Sequence, residues 1–324
     1  MRSAVFVTRR IPEPGLDLLR TECEVEVNQE DRVLTREEII EGVKGKDALL
    51  CLLTDTIDAA VLDANPSLKV VANYAVGYNN IDVEAATKRK ILVTNTPGVL
   101  TETTADFTWA LLMSTARRVV ESDRFTRAGL FRGWAPMLFL GCDVYGKTLG
   151  IVGFGRIGEA VARRASGFSM EVLYYDEYRR DPDEEKRLGV RYAPFDELLR
   201  RSDFISVHVP LMESTRHLFG EAEFRAMKDT AILINTSRGP VVDERALVAA
   251  LRAREIAGAG LDVYEAEPEL EPGLVELDNV VLAPHIASAT VETRTRMAIM
   301  AATNVLAAVR GEVPPNIVNR EVFP

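Results

Sequence analysis

The sequence has few cysteines, few histidines and no long hydrophobic run. These absences argue against several classes of protein. Only three of its 324 residues are cysteines. They are Cys23, Cys51 and Cys142, which are widely spaced and form no C-x-x-C pair, so we expect free thiols in a reducing compartment. No stretch approaches the roughly 20 apolar residues that span a membrane. We therefore expect a cytoplasmic protein without a membrane span, and we assign no metal ligands.

Positively charged residues are outnumbered by negatively charged ones, with 39 Lys and Arg against 49 Asp and Glu and a net charge of -10. This balance disfavours binding to nucleic acid or to an anionic membrane surface. The hydrophobic share of 47% is ordinary for a globular protein, and the length favours two domains over one. The N-terminal residues enter a strand pattern at once, so we do not expect a signal peptide.

Short apolar runs alternate with helical patterns in both halves of the chain. This alternation is typical of an α/β fold, in which helices cover both faces of a parallel sheet. The predicted strands of the first half are Ala4–Thr8, Glu24–Asn28, Ala48–Leu53, Val70–Tyr74 and Leu92–Thr96. Those of the second half are Leu149–Phe154, Glu171–Tyr175, Phe204–Val209, Ala231–Thr236, Ala259–Val263 and Val280–Ala283.

Several helices are predicted from their end signals. Thr35 and Glu38 have the spacing of a capping box, and Asp243 is the expected N-cap of a helix that ends at Arg254. A helical pattern without proline runs from Thr101 to Ala128, and we expect one unbroken helix there. The last helix is expected at Val291–Arg310, because Gly311 and two prolines follow it.

The most informative motif is G-x-G-x-x-G at Gly153, Gly155 and Gly158. It follows a predicted strand and precedes a helical pattern, and the acidic residue Asp176 ends the next apolar run. This context is the dinucleotide-binding fingerprint, in which glycines permit a tight turn and close approach to a pyrophosphate. The helix N-terminus behind the motif offers N–H groups to the phosphates. The motif lies midway along the chain, so a separate domain is expected before it.

Arginine, acid and histidine residues follow three strands of the second half. Arg238 follows Ala231–Thr236, Glu267 lies in the loop after Ala259–Val263, and His285 follows Val280–Ala283. Ligands of open parallel sheets bind at the carboxyl ends of the strands. There an Arg fork can hold a carboxylate, and a His sustained by an acid can protonate a carbonyl oxygen. With a nicotinamide, this set predicts reduction of a 2-oxo acid, although each residue alone is compatible with a structural role.

Four sequence blocks are distinctive, namely Ala75–Asp82, Asn235–Gly239, Leu261–Pro268 and Pro284–Ser288. They resemble the signature blocks of the D-isomer-specific 2-hydroxyacid dehydrogenases. The resemblance covers nearly the whole chain and implies two doubly wound parallel-sheet domains. A Rossmann NAD-binding domain would comprise residues 100–290 with an arm at about 129–146. A flavodoxin-like substrate domain would comprise residues 1–99 and 291–324.

The resemblance also implies roles for individual residues. Arg238 would bind the substrate carboxylate and carbonyl, His285 would be the acid/base, and Glu267 its partner. Val76 and Gly77 would offer backbone N–H groups to the carboxylate. Asp262 would hold the nicotinamide carboxamide, and Thr104 would face the nicotinamide. The implied cofactor-binding set is Thr104, Gly153, Gly155, Arg156, Ile157, Gly158, Asp176, Val209, Pro210, Thr215, Thr236 and Asp262.

Within the family, the segment around Trp134 resembles the glyoxylate/hydroxypyruvate reductase branch. In that branch a Trp-bearing arm reaches a neighbouring subunit's active site, which implies a homodimer with Trp134 near substrate. The alternative is that Trp134 is an interface anchor only. Because Asp176 would accept the ribose 2′-OH and repel a 2′-phosphate, we expect NAD(H) rather than NADP(H), although Arg179 and Arg180 would partly offset that repulsion.

The expected function is therefore NADH-dependent reduction of glyoxylate or hydroxypyruvate to the D-2-hydroxy acid. The same machinery acting on D-lactate, 3-phosphoglycerate or phosphite is an alternative, with Arg9 and Arg10 as a candidate phosphate cluster. A second alternative is an NAD(H)-sensing, corepressor-like binding protein. His208 and His217 are expected to be structural, with a cofactor-lining role as the alternative for His208.

Overall fold

The computed structural model describes residues 2–323, which form two compact units with one parallel sheet each. Unit 1 holds the residues up to Leu100 together with those from Ala289 onward, and unit 2 comprises Thr101–Ser288. Met1 and Pro324, which the domain prediction includes, lie outside the described residues. Within residues 2–323 no helix is long and apolar enough to cross a membrane.

The N-terminal part of unit 1 alternates strands and helices. Its sheet has the order β2-β1-β3-β4-β5 with all neighbours parallel, which is the flavodoxin-like order. The elements are β1 Ser3–Val7, α1 Glu13–Arg20, β2 Cys23–Val27, α2 Arg36–Val43, β3 Ala48–Cys51, α3 Ala59–Asp63, β4 Val70–Asn73, α4 Val83–Lys88 and β5 Leu92–Thr94.

Alternate residues of each strand face opposite sides of this sheet, as the pleat requires. Val5 and Val7 of β1 join one buried cluster with α1, and Phe6 joins a second cluster with α2, α3 and α4. The predicted capping box of α2 is confirmed, because Thr35 accepts the N–H of Glu38 while the Glu38 carboxylate accepts the N–H of Thr35. Both faces of the sheet are thus covered, which confirms the doubly wound prediction.

Unit 2 contains a seven-stranded parallel sheet in the order β12-β11-β10-β9-β6-β7-β8. The order reverses between β6 and β9, which is the Rossmann pattern with one added strand and places a ligand crevice at their carboxyl ends. The elements are α5 Thr101–Ala116, α6 Val119–Arg127, β6 Thr148–Val152, α7 Arg156–Ala165, β7 Glu171–Tyr175, α8 Pro182–Leu188, β8 Arg191–Tyr192, α9 Phe195–Arg201, β9 Phe204–Val207, α10 Glu221–Ala226, β10 Ile232–Asn235, α11 Glu244–Ala253, β11 Gly258–Leu261 and β12 Val280–Leu282.

The prediction of one unbroken helix from Thr101 to Ala128 is wrong. The helix breaks between α5 and α6, where Arg118 adopts the left-handed conformation with φ 53°. The carbonyl of Ala116 accepts the N–H of Cys142 at 2.9 Å, so the returning arm takes an acceptor that a continuous helix would use itself. The arm after α6 has no helix or strand before β6.

The chain returns to unit 1 through its longest helix, α12 Val291–Arg310, which has the predicted bounds. Gly311 ends it with φ 76°, a left-handed conformation that glycine adopts without strain. The helix lies so close to α1 that a Cβ at Gly15 would come within 2.6 Å of the Ala298 Cβ. α12 therefore completes the core of unit 1.

Candidate active site

The glycine motif forms the turn between β6 and α7 in unit 2. Gly153 has φ 94°, and a Cβ there would lie 2.6 Å from the His208 carbonyl carbon. A Cβ at Gly158 would lie 2.3 Å from the Gly153 carbonyl oxygen, so the helix packs directly on the turn. Around Gly155 a Cβ would meet no atom within 4 Å. Two glycines thus shape the turn, and the third borders open space.

This open space adjoins the N-terminus of α7, where Gly155 is the N-cap and Arg156 and Ile157 begin the helix. The first turn of a helix has N–H groups without intrahelical acceptors, and its dipole favours an anion. Room for an incoming group and a ten-residue helix behind it together fit the pyrophosphate of a dinucleotide.

Asp176 lies directly after β7, beside this turn. Its Oδ2 atom accepts the N–H of Phe154, the middle residue of the glycine turn, at 2.6 Å. Its Oδ1 atom accepts the N–H of Tyr178 at 3.1 Å. These bonds fix the carboxylate, and each oxygen keeps a further lone pair with which to accept a hydroxyl.

Four of the other predicted cofactor residues are already engaged within unit 2. The hydroxyl of Thr236 lies 2.9 Å from that of Thr108, and Thr104, which is 4% exposed, accepts the Thr108 hydroxyl through its carbonyl. The Thr215 hydroxyl donates to the Pro210 carbonyl at 2.6 Å and accepts the N–H of Met212. These hydroxyls shape the loops after β9 and β10. Val209 also lies in the loop after β9.

The predicted catalytic acid and histidine are in direct contact. Nδ1 of His285 lies 2.9 Å from Oε2 of Glu267, and Oε1 of Glu267 accepts the N–H of Tyr264 at 2.9 Å. His285 has φ 54°, a left-handed conformation that is uncommon outside glycine and often found at functional sites. With Nδ1 engaged, Nε2 is the ring atom left to exchange a proton with a ligand.

The charged groups of this site shift one another's pKa values. Burial alone would raise the pKa of Glu267, but the hydrogen bond and positive charge of His285 hold that pKa below its ordinary value. Burial lowers the pKa of Arg238, and the charge of Glu267 opposes the shift. An arginine stays protonated even so. Arg238 donates to the Ser237 carbonyl at 2.7 Å, and its own carbonyl accepts the Asn235 amide.

Asp262 has a role in unit 2 that sequence reasoning did not find. It is fully buried, and its two oxygens accept the N–H groups of Ile286 at 2.7 Å and Ala287 at 2.8 Å. Burial raises its pKa, against the effect of these two bonds. Asp262 therefore anchors the backbone directly after His285. The only sequence signal was an acid at the end of a buried strand.

The other two histidines lie outside this pair. Nε2 of His208 lies 2.7 Å from the Ser206 hydroxyl, and burial lowers the pKa of His208 to about 3, so its ring is neutral at ordinary pH. His217 contacts Glu265 at 2.5 Å.

In unit 1, Val76 and Gly77 lie in the loop after β4. The Val76 carbonyl accepts the Asn95 amide at 2.7 Å, and the Gly77 carbonyl accepts the Asn73 amide at 2.8 Å. Because both carbonyls are held by side chains, the loop has a defined conformation before any ligand binds.

The arm of unit 2 leaves Trp134 86% exposed. An apolar groove of about 770 Å³ lies between the arm, α5, α6 and the edge strand β12. Trp134 is one of several large apolar side chains that the arm exposes. The other exposed large apolar residues of the arm are Leu130, Phe131, Met137, Leu138, Leu140 and Tyr145.

Comparisons with known proteins agree with this geometry. Residues 109–287 match the sequence model described as D-isomer specific 2-hydroxyacid dehydrogenase, NAD binding domain. A glyoxylate reductase of Korarchaeum cryptofilum is 60% identical over 99% of this chain and 97% of its own length. The TT0316 protein of Thermus thermophilus is 47% identical, with a TM-score of 0.91 over 97% of this chain and 99% of its own.

A third relative has bound ligands. It is an NADPH-dependent glyoxylate/hydroxypyruvate reductase of Sinorhizobium meliloti, solved with NADP and malonate. It is 33% identical, with a TM-score of 0.87 over 100% of this chain and 98% of its own. These relatives confirm the predicted family and branch. The chain belongs to the D-isomer specific 2-hydroxyacid dehydrogenase family and is a nicotinamide-dependent oxidoreductase.

Proposed function

We propose that this enzyme reduces glyoxylate or hydroxypyruvate to the corresponding D-2-hydroxy acid with NADH. The observation that carries the proposal is the contact of 2.9 Å between His285 and Glu267 at the carboxyl edge of the unit 2 sheet, where Arg238 also lies. Reduction of a carbonyl needs a proton for its oxygen, a cation for the adjacent carboxylate and a hydride. The bound dihydronicotinamide supplies the hydride.

His285 supplies the proton. Its Nδ1–H is held by Glu267, so Nε2–H donates to the carbonyl oxygen as negative charge develops there. Glu267 stays ionised because its pKa is held below the ordinary value, so it can hold the Nδ1–H of His285 as an acceptor. The O–H bond of the product forms as the Nε2–H bond breaks.

Arg238 binds the substrate carboxylate and polarises the carbonyl. Arg238 is partly buried, and the planar fork of N–H donors in its guanidinium matches a carboxylate geometrically. In unit 1 we assign a substrate-binding role to the backbone N–H groups of Val76 and Gly77. A small acid then needs no further cation, in agreement with the pairing of Arg9 with Asp31 and Arg10 with Glu13. This pairing disfavours a phosphorylated substrate.

The cofactor is assigned to unit 2. Gly153, Gly155, Gly158, Arg156 and Ile157 receive the pyrophosphate, for which the space at Gly155 supplies the room. Asp176 accepts the ribose hydroxyls, and its charge disfavours the 2′-phosphate of NADP(H), which the Sinorhizobium meliloti relative binds. Further along the cofactor the assigned residues are Thr104, Val209, Pro210, Thr215, Thr236 and Asp262.

We further assign a homodimer, in which the arm contacts a second copy of the chain. The exposed apolar side chains of the arm and the neighbouring groove are the surfaces that such a contact would bury. In that arrangement Trp134 belongs to the substrate site of the partner. Three free cysteines, two of them buried, agree with a reducing cytoplasm.

A substrate panel tests the proposed reaction. NADH oxidation is measured with glyoxylate, hydroxypyruvate, pyruvate and 3-phosphohydroxypyruvate, and NAD reduction with D-lactate and phosphite. We expect the highest kcat/KM for glyoxylate or hydroxypyruvate. His285→Gln should abolish turnover with little change in NADH affinity, and Arg238→Lys should mainly raise KM. Substantial turnover by the His285→Gln variant would refute the assigned proton donor.

A further inference from the structure

The segment after Asp176 contains two arginines, Arg179 and Arg180, next to the assigned adenosine ribose. A 2′-phosphate carries negative charge, and arginine forks are its usual protein ligands. The sequence alone therefore gives conflicting signals, since the acid favours NADH and the arginines favour NADPH. The contacts of the two side chains resolve this conflict.

Arg179 is bound by a buried carboxylate on α8. Its Nε lies 2.9 Å from Oε1 of Glu185, and its Nη2 lies 3.1 Å from Oε2, which is a bidentate pair. The guanidinium also lies over the Tyr192 ring, 5.2 Å from the centroid. Moving a guanidinium that is bound at two points and stacked on an aromatic ring costs free energy, because these contacts must be broken.

Glu185 is itself fixed. It is 7% exposed, and the hydroxyl of the fully buried Tyr174 donates to its Oε1 at 2.8 Å. The hydrogen bond of Arg179 lowers the pKa of Glu185, so the carboxylate is ionised at neutral pH. The hydroxyl of Tyr174 in turn accepts the N–H of Arg180, which connects the whole segment to β7.

Arg180 is held in a different way. Its Nη2 donates to the Phe154 carbonyl in the glycine turn at 3.1 Å, and its guanidinium lies 5.9 Å from the Phe154 ring centroid. Glu184 lies 3.6 Å and Glu159 3.8 Å from its nitrogens. Both arginines are thus committed to acceptors of the protein.

We propose that Glu185 is a specificity-determining residue, which excludes NADPH by holding Arg179 away from the 2′ position of the cofactor ribose. Asp176 repels the 2′-phosphate, and Glu185 withholds the cation that would otherwise offset this repulsion. This inference rests on the proposed preference for NADH. Glu185 acts through Arg179 and does not itself touch the cofactor, so it is a positioning residue.

The test measures dissociation constants of NADH and NADPH by fluorescence titration, without any substrate. Glu185→Gln keeps an acceptor for Tyr174 but removes the charge that binds Arg179. In an Asp176→Asn background, where the repulsion is reduced, we expect Glu185→Gln to improve NADPH affinity relative to NADH by about fivefold or more. Adding Arg179→Gln should abolish that gain, because the freed cation is then absent.

Asp183→Asn in the same background is the control. It removes the same charge from α8, but from a side chain that pairs with neither Arg179 nor Arg180, so the ratio of affinities should not change. An equal gain with Asp183→Asn, or none with Glu185→Gln, would overturn the proposal.

A second measurement does not depend on a change at a buried position. In the otherwise unaltered protein, Arg179→Gln should leave the NADPH affinity unchanged, since Arg179 is withheld. A loss of NADPH affinity would show that Arg179 already binds the 2′-phosphate, and the inference would be wrong. If the unaltered protein binds NADPH more tightly than NADH, the proposed cofactor preference fails. If it prefers NADH and Glu185→Gln changes nothing, only the role of Glu185 fails.

Discussion

Nδ1 of His285 lies 2.9 Å from Oε2 of Glu267, and the other oxygen of that carboxylate is held by the Tyr264 N–H. The carboxylate therefore has one fixed orientation, and it fixes the imidazole in turn. The geometry leaves Nε2 of His285 as the atom to which we assign proton donation. In this proposal Glu267 both orients the imidazole and supplies a negative charge beside it.

Glu267→Gln should lose the charge and keep an acceptor for only one of its two partners, Nδ1 of His285 or the N–H of Tyr264. Because His285 loses its charged partner, we expect kcat for reduction to fall by about tenfold to a hundredfold. The check is a pH–rate profile of both proteins with NADH saturating. An unchanged kcat in the Glu267→Gln protein would contradict the electrostatic role.

The acid side of the profile follows from the pKa of Glu267, which is lower in the folded protein than its ordinary value. A carboxyl of this kind contributes its full stabilisation above the unfolded pKa of about 4.3 and loses it only as the pH falls through the lower folded value. The pair should therefore persist through the mildly acidic range. Acid loss of activity above about pH 5 would have to come from another group.

Asp262→Asn tests whether this residue acts on the cofactor or on the backbone after His285. An amide can accept through only one atom, so one of the buried N–H groups of Ile286 and Ala287 would lose its acceptor, at a cost of about 1–3 kcal/mol. We expect a lower Tm and a fall in kcat, with a smaller change in NADH affinity. A large loss of NADH affinity at unchanged kcat would instead support the carboxamide role alone.

Most strands of both sheets were predictable from the sequence because they are buried on both faces and appear as apolar runs. The strand β8 was missed, since Arg191 and Tyr192 form only a two-residue edge without such a run. The break at Arg118 was missed because its cause, the N–H of Cys142 on the Ala116 carbonyl, lies outside the helix. Local pattern cannot report a competing tertiary hydrogen bond.

The candidate site was likewise only partly predictable from the sequence. Asp176, Arg238 and His285 follow predicted strands, and Gly153 lies near the end of another. Parallel topology alone brings the ends of adjacent strands to one edge. The contacts of Asp262 depend on the path of the backbone after His285. His285 itself has a left-handed conformation, which no sequence pattern predicted. The partners of Arg179 and Arg180 likewise depend on where α8 packs.

Two glycines of the turn provide a matched pair of substitutions. Gly158→Ala places a Cβ 2.3 Å from the Gly153 carbonyl oxygen, which requires the backbone to move, so we expect a loss of stability of about 1–3 kcal/mol. Gly155→Ala meets no protein atom within 4 Å and has φ −80°, so stability should change by less than about 0.5 kcal/mol.

The two variants should therefore differ in how they affect the cofactor. With Gly155→Ala, NADH affinity should fall by about tenfold or more, because the methyl group occupies the room assigned to the pyrophosphate. Thermal unfolding and NADH titration of both proteins check this expectation. Unchanged NADH affinity in a stable Gly155→Ala protein would show that the pyrophosphate does not bind at this turn.

The exposed apolar side chains of the arm lead us to predict a homodimer. We expect a solution mass of twice 35.8 kDa by sedimentation or light scattering. Met137→Glu places a charge on an arm side chain that is 76% exposed in the single chain, and it should raise the dimer dissociation constant by about tenfold or more. Val275→Glu is the control, because Val275 is also exposed in unit 2 but lies outside the arm. A monomeric native protein would refute the proposed dimer.

Trp134→Ala separates the two roles open to this residue. If the side chain contributes to the substrate site of the partner, the variant should remain a dimer and show a raised KM for the 2-oxo acid, with NADH affinity unchanged. If it is an anchor alone, the dimer should dissociate more readily while KM, measured at a protein concentration that restores the dimer, stays as in the native protein. We expect the first result, because an indole that is 86% exposed in one chain has apolar area to offer a small substrate site.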